Sequence, residues 1–246
     1  INDLKKLNNY DLIILCLGRN SKIYHTVTKK RSIDKDYKEI AITGKAKHSL
    51  KNISTSQFFL KEGPLAILPF SKNNFSFVWS LDKNFFQSNY KDIKKIISQK
   101  ITKILCAKNK ILIKDLQSYP ITLGLKLDYY YKNTIILGEG LHSIHPVAGQ
   151  GFNLVLRDIK KLTELTKQYT RLGLSINNSY VLSDFYNSRK PENVMMGLGI
   201  DLTRNFFKKN KYLDPLKEII LSNISDNHFL QKLSKNISDK GLFWSN

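Results

Sequence analysis

The chain has 246 residues, 41% hydrophobic and 11% aromatic, enough for one or two globular cores and unlike a disordered composition. Its 40 Lys and Arg against 20 Asp and Glu leave a formal charge of +20, which draws a protein toward polyanions such as nucleic acid or an anionic lipid surface. The Lys, Asn and Ile excess is spread along the chain without a patterned basic block, so compositional drift accounts for the charge better than a dedicated nucleic-acid site. No apolar run approaches the roughly 20 residues needed to cross a bilayer, and no signal-peptide pattern is present. Cys16 and Cys106 lie in or beside apolar runs and form no CxxC, which predicts reduced, buried, inert thiols in a cytosolic setting. The first residue is Ile1 rather than Met, so the chain reads as processed or as part of something longer.

Residues 10–18, YDLIILCLG, form a short apolar run closed by glycine and predict a buried, parallel, central strand. Polar sequence follows to Asp36, and KEIAITGKAKHS then alternates like a strand. Three more strands are expected at 57–60, 65–70 and 75–81, separated by Glu62-Gly63-Pro64 and Lys72-Asn73-Asn74, as in an antiparallel meander. Ile93, Ile96, Ile97, Ile101, Ile104 and Leu105 have helical spacing within 92–107. Two strands are expected near 111–115 and 118–127, and NTIILGEG reads as another buried strand. Beyond it, Val155, Ile159, Leu162, Leu165 and Tyr169 predict one face of a helix. Residues 183–241 read as helices with a break or kink near Pro191 and a turn between Lys211 and Pro215.

The stretch GEGLHSIHPVAGQGFNLVLRD, Gly138 through Asp158, concentrates the chemistry. His142 and His145 make an HxxH, but no Cys or acidic cluster nearby completes a zinc site, so packing or hydrogen bonding suits them better and no metal is expected. Ser143 lacks a GxSxG elbow. GQGFNL departs from GxGxxG at Leu154, GLGIDL departs at Leu202, and no GK[ST] occurs, so neither is a Rossmann fingerprint or a P-loop. A strand, a glycine-rich turn and a helix nevertheless aim unpaired backbone N–H groups and a positive dipole end at whatever lies above Gly149, Gln150, Gly151, Phe152 and Asn153. Without side chains at Gly149 and Gly151, a flat ligand can approach the backbone. Glu139 would repel a phosphate but suits the hydroxyls of a sugar or ribityl chain. The alternative is a glycine turn that only tightens helix packing.

In its order G-E-x-x-H-x-x-x-P-x-x-G-Q-G-x-N-x-x-x-x-D the stretch resembles the second flavin motif of FAD-dependent aromatic hydroxylases, particularly their ubiquinone-biosynthesis branch. The resemblance extends to SQFFLKEGPLAILPFSKNNFSFVWSL and to FYNSRKPENVMMGLGIDLTRNFF, with Arg189, Asn193, Asp201 and Arg204 at matching places. It implies an α/β (α+β) fold: a partial Rossmann-like FAD domain, a mixed or antiparallel substrate-domain sheet and a C-terminal helical region. Expected boundaries are 1–36 for the end of the FAD domain, 37–132 for the substrate sheet, 133–170 for the second flavin motif and 171–246 for the C-terminal helices.

The resemblance further implies FAD as cofactor, NAD(P)H as reductant and a polyprenylated phenol as substrate. Cofactor contacts would fall on Gly18, Gly138, Glu139, Pro146, Gly149, Gln150, Gly151, Phe152 and Asn153, with Glu139 on the ribityl chain where Asp is commoner. Gln57, Phe59, Leu68 and Pro69 are candidates for the substrate wall, against ordinary sheet core as the plainer reading. No general base is named, since oxygen transfer to an electron-rich ring asks the protein mainly for a dry, oriented pocket. The family's middle motif, G-A-D-G-x-x-S-x-x-R, departs here to LCLGRNSKIY, with Leu17 for the acid and Tyr24 for the arginine. The family's GxGxxG region, which cradles the ADP half of FAD, is not in this sequence, so tight FAD binding by these residues alone is not expected. The expected partners are therefore an N-terminal half or other ubiquinone-pathway proteins, and an anionic inner-membrane surface touched from the cytoplasm. A non-catalytic remnant of a split or decaying gene is the alternative, and a basic nucleic-acid-binding protein a more distant one.

Overall fold

The computed structural model describes residues 9–19, 21–28, 31–146, 149–176 and 179–207. The chain divides into two compact units, one from Ile1–Lys35 with Leu123–Asn246 and the other from Asp36–Thr122. The first apolar run forms strand β1, Ile13–Leu15, shorter than the run itself, and the polar stretch after it holds a single helical turn, α1, Tyr24–Val27. Cys16, just past β1, is exposed rather than buried, and so is Cys106. Each sits immediately beyond the end of an element, where the apolar run has already left the core; Cys106 also takes a positive φ of 48°.

The second unit is an antiparallel sheet backed by a helix. Its long first strand, β2, covers Ser32–Lys47, starting earlier than the sequence alternation suggests because SIDKDY pairs through polar residues and a positive φ of 56° at Lys38. Strands β3 (Ser56–Leu60), β4 (Gly63–Ser71) and β5 (Asn74–Asp82) form the expected meander. Asp82 then caps the short helix α2, Lys83–Ser88, its carboxylate accepting from Asn84 N at 2.8 Å and Phe85 N at 3.2 Å. Helix α3 spans Ile93–Ile104, and the strand after it, β6, runs unbroken over Leu112–Lys126. Two strands were expected there. The polar DLQSYP stretch reads as a turn, but pairing carries through it with only a local distortion at Asp115, whose φ is 52°.

Cross-strand registry explains the core of this unit. Ile42 faces Trp79, which faces Leu65, and Phe77 faces Ile67, so one side of the sheet is a continuous apolar layer. Ile93, Ile97 and Ile101 recur every four residues along α3 and bury against that layer with Phe75, Leu81 and Ile113. Truncating Ile97, which is fully buried, is expected to cost about 2–5 kcal/mol of unfolding free energy, read by denaturant titration of the Ile97→Ala protein.

In the first unit, β7 (Tyr130–Tyr131) and β8 (Thr134–Ile136) form a tight antiparallel pair, and β8 lies parallel to β1 with Ile14 opposite Ile135. β8, wholly buried, is the middle strand of this sheet, and β1 lies at its edge rather than at its centre. A 3-10 turn at Gly138–Gly140 and strand β9, His142–Ser143, lead to helix α4, Gly151–Arg171. Helix α5 covers Ser179–Phe207 without interruption, and Pro191 lies inside it. No break occurs because Pro191 and Asn187 are both exposed, so the carbonyl left without its i+4 donor meets solvent. The turn expected between Lys211 and Pro215, and the helices beyond it, lie outside the described residues.

The buried face of α4 differs from the expected stripe. Leu154, Asp158, Leu162 and Leu165 are buried, whereas Ile159 is half exposed. The stripe is rotated by about one position because its centre is a carboxylate, which a search for apolar periodicity passes over. Leu162 and Leu165 join Leu15, Tyr129, Ile135, Ile136, Val181, Leu182 and Phe185 in the core of this unit.

Candidate functional site

The loop between β8 and α4 encloses a cavity of about 390 Å³ lined by Cys16, Gly18, Gly138, Glu139, His142, Gly151, Phe152 and neighbouring apolar residues. Leu137 leaves β8 extended, and Gly138 turns the chain at φ +78°, a left-handed conformation that L side chains rarely adopt. The turn closes when Leu141 N donates to Gly138 O at 2.9 Å, leaving the Glu139 side chain exposed at the cavity. On the other wall, α4 begins at Gly151. Its N-cap, Gln150, offers no side-chain acceptor to the first-turn amides, and that turn holds no acid. Among the described residues, this helix of 21 residues thus begins without an N-cap side chain or an acid to offset its positive end beside Gly151 and Phe152.

These surroundings fit a flavin. An electron-rich carbonyl edge would suit the N–H groups of α4 and hydroxyls would suit Glu139, while a Cβ placed at Gly18 or Gly138 would meet nothing within 4 Å, leaving the approach open. Among the expected contacts, Gly18, Gly138, Glu139, Gly151 and Phe152 share the cavity wall. Pro146, Gly149, Gln150 and Asn153 belong to the same loop and helix start but are not in that wall; Asn153 Nδ2 instead donates to Gln150 Oε1 at 3.2 Å. Gln57, Phe59, Leu68 and Pro69 lie in the second unit. Gln57, Phe59 and Leu68 are exposed on the sheet face away from α3, whereas Pro69, half-buried and opposite the buried Phe75, lies on the core-facing side.

Beneath the loop is a buried ionic cluster. Asp158 of α4 is fully buried and accepts from His142 Nε2 at 2.7 Å, Arg189 Nε at 2.6 Å and Asn193 Nδ2 at 3.2 Å. Arg189 also donates to Glu192 and, at 3.0 Å, to Asn193 Oδ1, and Asn193 in turn reaches the Tyr129 hydroxyl at 3.3 Å. Burial alone would push the Asp158 carboxyl up, but the His142 hydrogen bond and the Arg189 charge hold it below the usual carboxylate range. Burial pushes the Tyr129 phenol up as well, and there it prevails, holding the group well above its ordinary value. The HxxH spacing drew attention to His142 as a metal ligand, and its real partner, Asp158, ends the same motif sixteen residues on. Among the described residues, no group of three or more His, Cys, Asp or Glu side chains is arranged to hold a metal ion.

Tyr24, where the resembling motif carries arginine, is buried, and its hydroxyl accepts from Leu17 N at 2.9 Å. It packs so closely on the loop that a Cβ at Gly140 would lie 2.5 Å from its ring and hydroxyl. Cys16, Ser143, Ile144 and Val155 complete the cavity wall and carried no sequence signal beyond adjacency to the glycines. Arg189 and Asn193, marked by the resemblance, belong to the ionic cluster, whereas Asp201 pairs with Lys35 at 2.8 Å and Arg204 is buried.

The family model described as squalene epoxidase matches residues 87–229, more than half of the chain. The chain belongs to the squalene epoxidase family. Among curated proteins it is similar to the mitochondrial ubiquinone biosynthesis monooxygenase COQ6 of Dictyostelium discoideum, at 28% identity over 69% of this chain and 41% of that one. It is also similar to 3-demethoxyubiquinol 3-hydroxylase of Escherichia coli, at 29% identity over 67% of this chain and 42% of the other. This squalene epoxidase family member therefore spans about two fifths of the length of these relatives. Among solved structures, p-nitrophenol 4-monooxygenase PnpA from Pseudomonas putida aligns over 93% of this chain and 59% of its own, with a TM-score of 0.74 and 11% identity. HpxO of Klebsiella pneumoniae, solved as an R204Q variant complexed with FAD, aligns over 93% of this chain and 60% of its own at a TM-score of 0.67 and 13% identity. The resemblance to flavin hydroxylases of the ubiquinone branch is borne out by these relatives, and the α/β fold by these structures.

Removing the Asp158 carboxylate leaves Arg189 buried without its main partner, so Asp158→Ala is expected to cost about 3–5 kcal/mol. Because the folded carboxyl lies below its unfolded value of about 3.9, its contribution is complete above that pH and is lost as pH falls through the depressed folded value. Acid titration followed by circular dichroism should show the wild-type chain holding to lower pH than Asp158→Asn.

Proposed function

We propose that this chain supplies the ribityl and ring side of the flavin site, together with the substrate sheet, of an FAD-dependent monooxygenase that hydroxylates a polyprenylated aromatic ring in ubiquinone biosynthesis. The observation that carries this reading is the cavity in which Glu139 faces the uncapped start of α4 across Gly18 and Gly138. When bound, FAD supplies the oxygen-transfer chemistry, with NAD(P)H as the source of electrons.

The chain's own residues bind and orient. Glu139 accepts from ribityl hydroxyls, and its extra methylene relative to Asp shifts that contact without removing the acceptor. The Gly151 and Phe152 amides, at the positive end of α4, favour negative charge on the ring edge they meet. Pro146, Gly149, Gln150 and Asn153 shape the loop that brings those amides into place. In the second unit, the exposed Phe59 and Leu68 offer apolar surface to an aromatic substrate with a lipid tail, with Gln57 on the same face, while Pro69 follows Leu68 on the opposite face. The expected domain division, with the flavin motif at 133–170 and the substrate sheet at 37–132, is retained in this proposal. The cradle for the ADP half of FAD falls to a GxGxxG region outside this sequence, in the same polypeptide or a partner. Peripheral contact with an anionic membrane from the cytoplasmic side accompanies a lipid-tailed substrate and a charge of +20. Among the described residues no helix is long and apolar enough to cross a membrane.

Tyr24 favours a second reading: a buried phenol stands where the resembling motif has arginine, as expected of a remnant that has lost catalysis. Purified chain mixed with the GxGxxG-bearing region separates the two. The hydroxylase reading expects flavin absorbance in the mixture and NAD(P)H oxidation stimulated by a polyprenyl phenol; a colourless mixture supports the remnant. With flavin bound, Glu139→Ala is expected to weaken FAD binding about tenfold or more, read by fluorescence titration. Membrane contact is checked by co-sedimentation with phosphatidylglycerol vesicles, expected to exceed that with phosphatidylcholine alone.

A further inference from the structure

The second unit carries a separate cavity of about 460 Å³, where the loop after β2 meets the β4–β5 hairpin, lined by His48, Lys51, Asn52, Ser54, Ser71 and Lys72 among others. His48 is only 7% exposed. The Leu50 backbone N–H donates to its Nδ1 at 3.1 Å, so that nitrogen carries no proton and the ring hydrogen sits on Nε2. Nε2 is buried and has no hydrogen-bond partner among the described residues. The ring is held in place: its centroid lies 5.4 Å from that of Phe75, and the His48 backbone N–H donates to Asn73 O at 2.9 Å. A fixed, buried donor without an acceptor costs free energy unless a ligand accepts from it.

The surroundings specify the charge of that ligand. Lys51 and Lys72 are exposed, and neither forms an ion pair with a described residue. No Asp or Glu occurs at 40–61, 63–81 or 103–114. The last of these segments is tied to the loop where Asn109 Nδ2 donates to Ser49 Oγ at 3.3 Å. Ser71 Oγ already accepts from Asn74 Nδ2 at 2.9 Å, which leaves its hydroxyl hydrogen to donate. The cavity wall therefore offers an imidazole N–H, two ammonium groups, hydroxyls and an amide, with no carboxylate among them.

We propose that this cavity binds a phosphate-class oxyanion, with His48 Nε2 donating from the buried side and Lys51 and Lys72 supplying the compensating charge. That number of donors matches an anion with three or four oxygens better than a single carboxylate. A free phosphate or pyrophosphate and the headgroup of an anionic lipid share this chemistry.

Phosphorus NMR titration of the intact chain with inorganic phosphate and with pyrophosphate, beside sedimentation with phosphatidylglycerol vesicles, tests the site. Saturable binding of either anion or of the vesicles is expected, weakened at least tenfold in the His48→Phe protein and in the Lys51→Gln/Lys72→Gln double variant. Vesicles that displace bound phosphate, or that alone bind in a variant-sensitive way, assign the site to a headgroup. Anion binding that vesicles leave undisturbed assigns it to a free oxyanion. The proposal is overturned if the wild-type chain binds none of these. It is equally overturned if the double variant, whose exposed replacements leave the fold intact by circular dichroism, binds them as the wild type does.

Discussion

The first unit depends on one buried carboxylate. Asp158 holds together three pieces of chain distant in sequence: β9 through His142, α4 on which it sits, and α5 through Arg189 and Asn193. A charge in this position is costly to bury and tolerable only when all its partners are present. The consequence is positional rather than stabilising in the ordinary sense. Because Asp158 is two turns from the start of α4, anchoring it fixes where the first-turn amides of that helix point. Because His142 immediately follows the 3-10 turn, the same anchor fixes the stretch that carries Gly138 and Glu139.

The candidate flavin cavity therefore has a floor of charges and a rim of backbone. Its functional groups are few: a carboxylate, a helix end and positions without side chains. The Cys16 thiol, the His142 ring and the Ser143 hydroxyl share the same wall. The second unit contributes differently. Its apolar layer packs against α3, and Phe59 and Leu68 lie exposed on the other face.

Much of the fold was legible because the relevant signals are periodic. The meander β3–β5 and helix α3 follow directly from alternation and from isoleucines at helical spacing. What escaped followed from polar residues in places that periodicity assigns to apolar ones. SIDKDY pairs as a strand without alternating, DLQSYP continues a strand through an irregularity, and Asp158 occupies the centre of a buried helix face. The candidate site was legible as a motif to the extent that Gly18, Gly138, Glu139, Gly151 and Phe152, marked in the sequence, line one cavity, while Pro146, Gly149, Gln150 and Asn153 do not. The ionic cluster was not, because the pairing of Asp158 with His142 and with Arg189 depends on how β9, α4 and α5 pack, and no local pattern encodes it. The thiols were misjudged for the related reason that an apolar run does not show where it leaves the core.

The contact between Gly140 and Tyr24 carries a lesson about how this sequence can change. The bare backbone of the turn and the bulky phenol occupy complementary volumes, so neither position is free to vary by itself. A side chain at 140 would need both Tyr24 and Ile136 to give way, and a smaller residue at 24 would open a void beneath the loop and release the Leu17 amide that the phenol now satisfies. The two sites form an epistatic pair. The effect of a substitution at either position is therefore expected to depend on the residue at the other.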